Sequence, residues 1–579
     1  MERDVAPSGS ELECEPATQA SCCTSEEEEE ELWRPKRKHQ RLDQRVWANL
    51  QPNVQEDQSE DTMQLAHDNR QISEDSEDGE DSDGDAVGDD DTTEAEPDMI
   101  AGPSTYQESF DWAKSVGQCF LASIGERVAA GFAARNIQKI VVTTTYSGMG
   151  CAETSINFIK KAIGELLPFG ACPPVEFYSA MDNSELCQRA LSSLDPGPAH
   201  IFGNIYDLVT DPTKAALEKL QKKYITKFKR AVKQKGSNKM ALVHAHGRTF
   251  MKDACKLLTG VSFRKDKKAW CYKCQKKCRL SPCGSKLEVG TLYMEIGGHT
   301  CTPWSNAGQR MSWLDPEAIP MLIWLFWVKA KGVHHLLNEC SPGFDDAVFD
   351  EVFQGLYSSN PVVFSPLDLG LPSSRRRKYT HCMKKSMGEP SKVWSHKHLR
   401  RLAFRQLQAA GTMYFRAPEH KVQEMCAAMA KKRGLVRAKR IRYDAAMSVS
   451  SRLRRDGYIT RAKERGVFRP MIQRGDIIIN LTQNSRHHRL LKPYAPSLMR
   501  KSSLYSLKLK RGMHPLEHFC VQGFPLWVGD AEVEILNSLP IEFLESLKDS
   551  QVRSLTGNAM HLAAVGTAIL FIWCMSPAL

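Results

Sequence analysis

The sequence predicts a doubly wound α/β domain, in which helices cover both faces of a mostly parallel sheet. From about residue 110 onward, apolar β-branched runs of strand length alternate with helical patterns, connections are short, and glycine or polar residues follow the strands. The composition is that of a globular protein, with 41% hydrophobic and 25% charged residues, and it excludes collagen-like and wholly disordered chains. The length of 579 residues leaves room for further domains.

Each predicted element follows from its own pattern. A helical pattern over residues 109–136 precedes a β-branched strand over 139–146 and a helix over 152–167. Later strands are predicted over four short apolar runs, at 175–180, 200–202, 291–296 and 333–337. In a sheet of this kind, ligands bind beyond the carboxyl ends of the strands. The residues that follow the strands are therefore the candidates for a functional site.

A glycine turn, Ser147-Gly148-Met149-Gly150, follows the first strand, and Asp182 follows the second. The turn alone is also explained by a tight bend that needs positive φ, since the full dinucleotide-binding spacing is absent. An acidic side chain after the second strand can bind both hydroxyls of a ribose. Together, the turn and Asp182 predict a cofactor that contains adenosine.

Charge is distributed unevenly along the chain. Residues 1–100 contain 31 acidic and 8 basic residues, whereas the remainder contains 70 basic and 38 acidic ones. A segment so acidic and so poor in apolar residues cannot bury a core, so we expect residues 1–108 to form a disordered acidic tail. The basic remainder is expected to bind a polyanion.

The tail contains the basic run Arg34-Pro35-Lys36-Arg37-Lys38, which is typical of a nuclear import signal and equally of a solvated basic turn. Eighteen cysteines without a secretory signal indicate reduced thiols, metal ligands or a nucleophile. No run of eighteen apolar residues occurs, so no membrane span is expected. We therefore expect a soluble intracellular protein, located in the nucleus.

The segments around the fourth and fifth strands carry the most specific motifs. Four motifs occur in order: His299-Thr300-Cys301-Thr302, Leu337-Asn338-Glu339-Cys340, Ser373-Ser374-Arg375-Arg376-Arg377 and Gly557-Asn558-Ala559. With the glycine turn before them, these motifs make the chain resemble the C5-cytosine methyltransferase family, over roughly residues 139–570. The ordered set is far more specific than any one member.

The resemblance implies a Rossmann-like, S-adenosylmethionine-dependent methyltransferase domain that acts on carbon 5 of cytosine. It implies that Cys301 is the nucleophile, that Glu339 is the acid, and that Arg375 and Arg377 hold the base oxygen and the backbone phosphate. It places S-adenosylmethionine against residues of the glycine turn, the strand ends and the last motif: Tyr146, Ser147, Gly148, Gly150, Asp182, Asn204 and Asn558.

Elementary chemistry agrees with these roles. Carbon 5 of cytosine becomes nucleophilic only after covalent addition at carbon 6, and a thiolate such as that of Cys301 is a suitable nucleophile. Glu339 can neutralise charge at nitrogen 3 if burial near the substrate raises its pKa. The alternatives are a buried, inert cysteine, a glutamate that caps a helix and arginines on a solvated surface. The target base of a duplex would have to be flipped into the pocket.

The chain departs from the family's usual pattern at five positions. Thr300 and Thr302 flank the cysteine where the family has proline and usually a polar amide. At the other three positions the family usually has aspartate, asparagine and glutamine, whereas this chain has Asn204, Cys340 and Ser373. The chain is therefore predicted to be a divergent member that keeps the reactive groups.

An insertion over residues 208–290 contains a lysine-rich helical pattern, at 213–235, and four closely spaced cysteines: Cys271, Cys274, Cys278 and Cys283. Four thiolates so close together can bind structural zinc tetrahedrally and stabilise a polar loop, although free thiols fit the unusual spacing as well.

A second basic block, residues 384–470, lies where the resemblance places the target-recognition region, and its charge fits contacts to nucleic-acid phosphates. The predicted organisation is a tail over 1–108, a catalytic domain over 109–383 and 471–579, and the basic region between its two parts. The predicted function is DNA cytosine-5 methylation, with DNA as the partner and RNA as the lesser candidate. The rivals are a tRNA cytosine-5 methyltransferase and a catalytically silent nucleic-acid-binding protein of the same fold.

Overall fold

The structure is a computed structural model that describes most of the chain from residue 99 onward. The described ranges are residues 99–124, 137–166, 172–235, 238–264, 266–282, 289–305, 308, 310–388, 395–435, 441–464, 466, 469, 477–483 and 492–575. The chain divides into two compact units, residues 1–93 and 94–579, and only the second contains described residues. The acidic segment up to residue 98, with its basic run, and Cys283 lie outside the described residues.

Residues 99–108, which the sequence assigns to the tail, belong to the folded unit. Tyr106 is only 5% exposed, and its hydroxyl donates a hydrogen bond to the carbonyl of Leu526 at 3.0 Å. Ala101 forms a β-bridge with Gln406. The buried aromatic side chain stabilises this attachment, so the described residues 99–108 pack with the folded unit.

The strands alternate with helices much as the sequence predicts. In chain order, the strands are β1 Lys139–Thr145, β2 Val175–Met181, β3 His200–Phe202, β4 Lys268–Cys271, β5 Lys276–Arg279, β6 Thr291–Gly297, β7 His335–Cys340, β8 Tyr357–Phe364, β9 Arg377–Lys384, β10 Ile478–Asn480, β11 Leu504–Ser506 and β12 Arg511–Gly512. The helices are α1 Trp112–Ile124, α2 Cys151–Leu166, α3 Glu185–Ser193, α4 Asp211–Lys235, α5 Lys239–Thr259, α6 Ala318–Lys331, α7 Ala347–Phe353, α8 His396–Ala403, α9 Glu419–Lys431, α10 Tyr443–Ala446, α11 Val449–Glu464, α12 Glu517–Val521, α13 Ala531–Glu534, α14 Ile541–Glu545, α15 Asp549–Asn558 and α16 Leu562–Met575.

The central sheet has seven strands in the order β3-β2-β1-β6-β7-β9-β8. The strands from β3 to β7 pair in parallel, whereas β9 runs antiparallel to both β7 and β8. The strand order reverses between β1 and β6. In a doubly wound sheet a crevice is expected at this point, because the helices that follow the two neighbouring strands lie on opposite faces of the sheet. This arrangement confirms the predicted fold class, a doubly wound α/β domain.

Helix α16 packs against both α1 and α2, and these two helices also contact each other. The stretch Asp549–Cys574 has the length and hydropathy of a membrane span, but 89% of its most apolar window is buried inside the fold. A helix that is apolar on all sides is expected when other elements surround it. Here the apolar sequence therefore serves the protein core.

A second hydrophobic cluster lies in the basic region and is offset from the predicted range 384–470. It extends from Val422 to Leu507, whereas α8 packs into the main core. The small sheet β10-β11-β12 contributes to both clusters, since Ile477 and Ile479 face the second cluster while Ile478 faces the first. This alternation follows from the two-residue period of a strand.

The insertion between β3 and β6 has two parts. Its lysine-rich pattern forms α4, as predicted, and α4 packs against α5 as a helical pair. The cysteine-bearing part forms the two-stranded hairpin β4-β5, which lies beside β3.

Candidate active site

The glycine turn after β1 has the left-handed backbone that its sequence predicts. Tyr146, Gly148 and Gly150 have φ of 56°, 58° and 86°. A Cβ atom on Gly150 would lie 2.3 Å from a methyl group of Leu194, whereas one on Gly148 would meet nothing within 4 Å. The turn therefore needs glycine at 150 for packing and leaves open space beside 148.

Replacement of Gly150 by alanine is expected to destabilise the protein by about 1–3 kcal/mol, because the positive φ and the contact with Leu194 both become unfavourable. Gly164 is the matched control, since it lies in α2 with no atom within 4 Å of its Cβ position. Gly164→Ala should stabilise by about 0.5–1 kcal/mol. Urea unfolding of both variants measures the difference, and equal effects would contradict this account of the turn.

Asp182 lies against the same turn because β1 and β2 are neighbouring parallel strands. Its carboxylate accepts hydrogen bonds from the backbone N–H of Gly148 at 3.0 Å and of Ser184 at 2.9 Å. Burial raises the pKa of Asp182, and these two hydrogen bonds oppose the rise. Each oxygen keeps a lone pair for another donor.

The other predicted cofactor residues lie in different elements. Ser147 is buried and shares a hydrogen bond with Thr144 at 2.7 Å. Asn204 is exposed after β3, and its side chain caps the following turn by accepting from the N–H of Tyr206. Asn558 ends α15 and accepts from the guanidinium of Arg500 at 2.9 Å.

Tyr146 connects the glycine turn to the cysteine loop. Its ring lies edge-on to His299, with centroids 6.3 Å apart, and to Trp324 at 6.0 Å. Its hydroxyl oxygen is buried without a hydrogen-bond partner among the described residues. A buried hydroxyl in this position is available to a bound ligand.

Cys301 follows β6 on a loop and is partly exposed. Its carbonyl accepts from the N–H groups of Trp304 and Ser305 at 3.0 and 2.9 Å, which closes the loop into a tight turn. Trp304 packs edge-on against Phe344, at 4.9 Å between centroids. The loop therefore packs on an aromatic base, and Cys301 itself is only partly buried.

His299 does not provide a positive charge beside this thiol. Burial lowers the pKa of His299 to about 3, so the imidazole is neutral at physiological pH. The ring packs on Trp304 and Phe344, with centroids 5.0 and 4.8 Å away. We infer that His299 supports the loop through packing.

Glu339 lies near the end of β7 and forms an ion pair with Arg377, at 3.0 Å between Oε1 and Nε. The pairing follows from the antiparallel register of β7 and β9, which sets Glu339 opposite Tyr379, two residues beyond Arg377. The carboxylate is directed toward the cysteine loop, since a Cβ on Gly298 would lie 3.2 Å from Oε2. Gly298 thus leaves room for the predicted acid.

Arg375 is 5% exposed and belongs to the same cluster. Burial, followed by the charge of Arg377, lowers the pKa of Arg375 to about 10, while Glu339 and Cys301 act in the opposite direction. One side-chain nitrogen donates to the carbonyl of Leu498 at 3.3 Å. The structure therefore brings Cys301, Glu339, Arg375 and Arg377 to one end of the sheet.

Sequence reasoning missed two buried carboxylates next to this cluster. Glu153, in the first turn of α2, accepts from the hydroxyl of Thr144 at 2.7 Å, and burial raises its pKa. Glu295, in β6, forms an ion pair with Lys331 of α6 and accepts from the indole of Trp324 at 2.8 Å. An acidic residue inside an apolar strand was the available signal for Glu295.

Three of the four cysteines predicted to bind zinc come together. The sulfur atoms of Cys271, Cys274 and Cys278 lie with Nδ1 of His200 in a group whose members are all within 4.8 Å of one another. His200 was missed because it precedes the cysteines by about seventy residues and belongs to β3. Cys283 lies outside the described residues.

The comparisons with known proteins found similarity to solved structures alone. No protein-family model and no curated protein matches the chain. A methyltransferase of Entamoeba histolytica, EhMeth, is similar at 11% identity and a TM-score of 0.38, over 75% of this chain and 98% of its own. The Dnmt2 methyltransferase of S. pombe is similar at 11% identity and a TM-score of 0.36, over 75% of this chain and 97% of its own. A prophage-encoded E. coli protein described as a DNA modification methyltransferase is similar at 12% identity and a TM-score of 0.36, over 75% of this chain and 99% of its own. The chain is thus similar, at low identity, to methyltransferases, and its own seven-stranded sheet is the Rossmann-like sheet that the sequence predicts.

Proposed function

We propose that the protein is an S-adenosylmethionine-dependent DNA cytosine-5 methyltransferase that acts through a covalent adduct with Cys301. The observation that carries this proposal is the cluster at the ends of β6, β7 and β9. There Cys301 lies partly exposed on the loop after β6, Glu339 is ion-paired with Arg377 at 3.0 Å, and the buried Arg375 lies within electrostatic reach of both Cys301 and Glu339.

The residues suit each step of the reaction. The Cys301 thiolate would add to carbon 6 of the cytosine ring, which makes carbon 5 electron-rich. Glu339 would hold a proton at nitrogen 3 as charge develops there, and Arg375 with Arg377 would offset charge on the base oxygen and a phosphate. Once carbon 5 carries the methyl group, loss of its proton to a base would reform the double bond between carbons 5 and 6 and expel the Cys301 thiolate.

Three features of the proposed cofactor site are compatible with S-adenosylmethionine. The space beside Gly148 is open, the hydroxyl of Tyr146 is buried without a described partner, and the Asp182 carboxylate has lone pairs available. We expect Asp182 to hold the ribose hydroxyls and Asn204 and Asn558 to border the bound molecule. When bound, S-adenosylmethionine would supply the methyl group.

The basic region supports nucleic acid as the substrate, although fewer of its cations are available than the sequence suggests. Arg454 donates to the carbonyl of Leu481, and Arg455 pairs with Asp444 at 2.9 Å. Lys431 and Lys432, at the end of α9, are exposed and suited to phosphate contacts. Aromatic residues of the region mainly fill the two hydrophobic clusters, as Tyr443 and Tyr458 do.

Replacement of Glu339 by glutamine tests the role of the acid. We expect methyl transfer to fall by about 10²–10⁴-fold, because the amide cannot donate the proton, with little change in affinity for nucleic acid. The measurements are single-turnover methylation and a binding titration at fixed salt. An equal loss in both would show that Glu339 acts in binding or folding rather than in proton transfer.

The substrate is tested by transfer of labelled methyl groups onto duplex DNA and tRNA side by side. Incorporation into DNA at cytosine carbon 5 supports the proposal, whereas incorporation into tRNA alone supports the RNA enzyme. Binding of both cofactor and nucleic acid without transfer or adduct would identify a silent binding protein. The proposed nuclear location is tested by imaging the chain with and without residues 34–38.

A further inference from the structure

We propose that the chain holds one structural Zn²⁺ ion through Nδ1 of His200 and the sulfur atoms of Cys271, Cys274 and Cys278, and that this ion fixes the β4-β5 hairpin to the edge strand β3. Nδ1 of His200 lies 3.4 Å from the sulfur of Cys274 and 3.8 Å from that of Cys271. Tetrahedral zinc with usual bond lengths separates a nitrogen and a sulfur ligand by about 3.6 Å. These two distances match a tetrahedral site, and all four candidate ligand atoms lie within 4.8 Å of one another.

The backbone around the cluster suits thiolate ligands. The N–H groups of Ile201 and Cys274 both point to the sulfur of Cys271, each at 3.4 Å. Such N–H donors to a ligating sulfur orient it and offset its charge. Zinc with three thiolates has a net charge of about −1, and Lys273 and Lys276 lie within electrostatic reach of His200.

The hairpin has little apolar core of its own. Its strands have four residues each, and an isolated two-stranded hairpin is at best marginally stable. Cys271 and Cys278 are its buried strand residues, whereas Trp270 is 42% exposed. As in other small metal-bound loops, binding of the ion would supply folding free energy that the hairpin does not gain from an apolar core.

The hairpin is also attached to the sheet at points next to the ligands. The N–H of Tyr272 donates to the carbonyl of Ile201 at 2.8 Å, and the ammonium of Lys273 donates to that of Pro198 at 2.8 Å. On the far side, the hydroxyl of Tyr178 in β2 donates to the carbonyl of Ser281 at 3.0 Å. A metal bond from His200 would therefore add to these hydrogen bonds between the hairpin and the sheet. It would join the insertion to β3, the strand that ends at the proposed cofactor cleft.

The consequence concerns Tyr272, the residue after the ligand Cys271. A Cβ on Gly203 would lie 2.9 Å from the Tyr272 ring, so this ring covers the end of β3. Gly203 and Asn204 border the cleft that we assign to S-adenosylmethionine, so this one part of the inference depends on the proposed function. The ion then positions an aromatic wall of the cleft.

Zinc content of the full-length protein, purified without a metal-binding tag under reducing conditions, tests the site directly. We expect about one Zn²⁺ per chain by mass spectrometry, and loss of at least about nine-tenths of it in His200→Ala and in Cys274→Ser. His200→Cys should keep the ion, because a fourth thiolate can replace the imidazole. Cys172→Ser, which changes a partly buried cysteine outside the cluster, is the matched control.

Cys283→Ser separates the two possible ligand sets. Retention of zinc in Cys283→Ser with loss in His200→Ala supports the site, and the reverse result would overturn it, as would substoichiometric zinc in the unchanged protein. Co²⁺ in place of zinc should give the visible bands of a tetrahedral sulfur-rich site, and chelation should speed proteolysis within residues 261–290. None of these measurements uses methyl transfer, so failure of this inference and failure of the proposed function can be told apart.

Discussion

Cys301→Ser is expected to abolish methyl transfer, with a loss of at least about 10³-fold, and to prevent any covalent complex with nucleic acid that contains 5-fluorocytosine. The physical reason is that serine is a far weaker nucleophile toward carbon 6 than a thiolate. Fluorine at carbon 5 cannot leave as a proton does, so the unchanged enzyme should stall as an adduct. Denaturing gel electrophoresis detects that adduct.

Cys340 provides a matched control, because its thiol also lies within electrostatic reach of Glu339 and Cys301. Burial, followed by the charges of Glu339 and Cys301, raises the pKa of Cys340 well above its ordinary value, so this thiol stays protonated. Cys340→Ala should therefore still form the adduct. An adduct that persists in Cys301→Ser, or one that disappears only in Cys340→Ala, would assign the nucleophile to a different residue.

Lys331→Met is expected to destabilise the fold by about 3–5 kcal/mol, because it leaves the Glu295 carboxylate buried without its cation. Both side chains of the pair are almost fully buried, with 2% and 0% exposure. The double variant Lys331→Met/Glu295→Gln should recover part of the loss, since an amide still accepts hydrogen bonds from Thr145 and Trp324. Urea unfolding midpoints measure each step.

The exposed pair formed by Lys114 and Glu165, 2.8 Å apart, is the control for this prediction. Lys114→Met should cost less than about 1 kcal/mol, because water screens an exposed ion pair. A similar cost for Lys114→Met and Lys331→Met would mean that burial of the Glu295 pair does not determine its contribution.

The sequence predicted those parts of the fold that depend on local pattern. β-branched runs followed by glycine or polar residues located β1, β2, β3, β6 and β7 closely, and the resemblance brought Glu339 and Arg377 into one site. It also predicted that Cys271, Cys274 and Cys278 lie together, since their spacing is short.

What the sequence could not predict depends on pairings between distant segments. His200 lies beside the cysteines because the insertion folds back next to β3. Glu295 pairs with Lys331 because tertiary packing places the end of α6 next to β6. The packing of residues 99–108 with the folded unit was not predicted, because Tyr106 is a single apolar anchor within a polar stretch. The average composition of the segment hides this one aromatic residue, whereas the contact of the segment with the folded unit depends on its side chain.

The alternating strand β10 limits how the basic region can evolve or be engineered. Because Ile477 and Ile479 belong to one hydrophobic cluster and Ile478 to the other, removal of residues 417–507 would strip apolar cover from the catalytic part as well. Any sequence that replaces this region must therefore retain the three-stranded sheet or supply an equivalent one. The part that can be replaced without loss of the sheet is the set of helices α9 to α11, which pack against the sheet, and not the whole basic block.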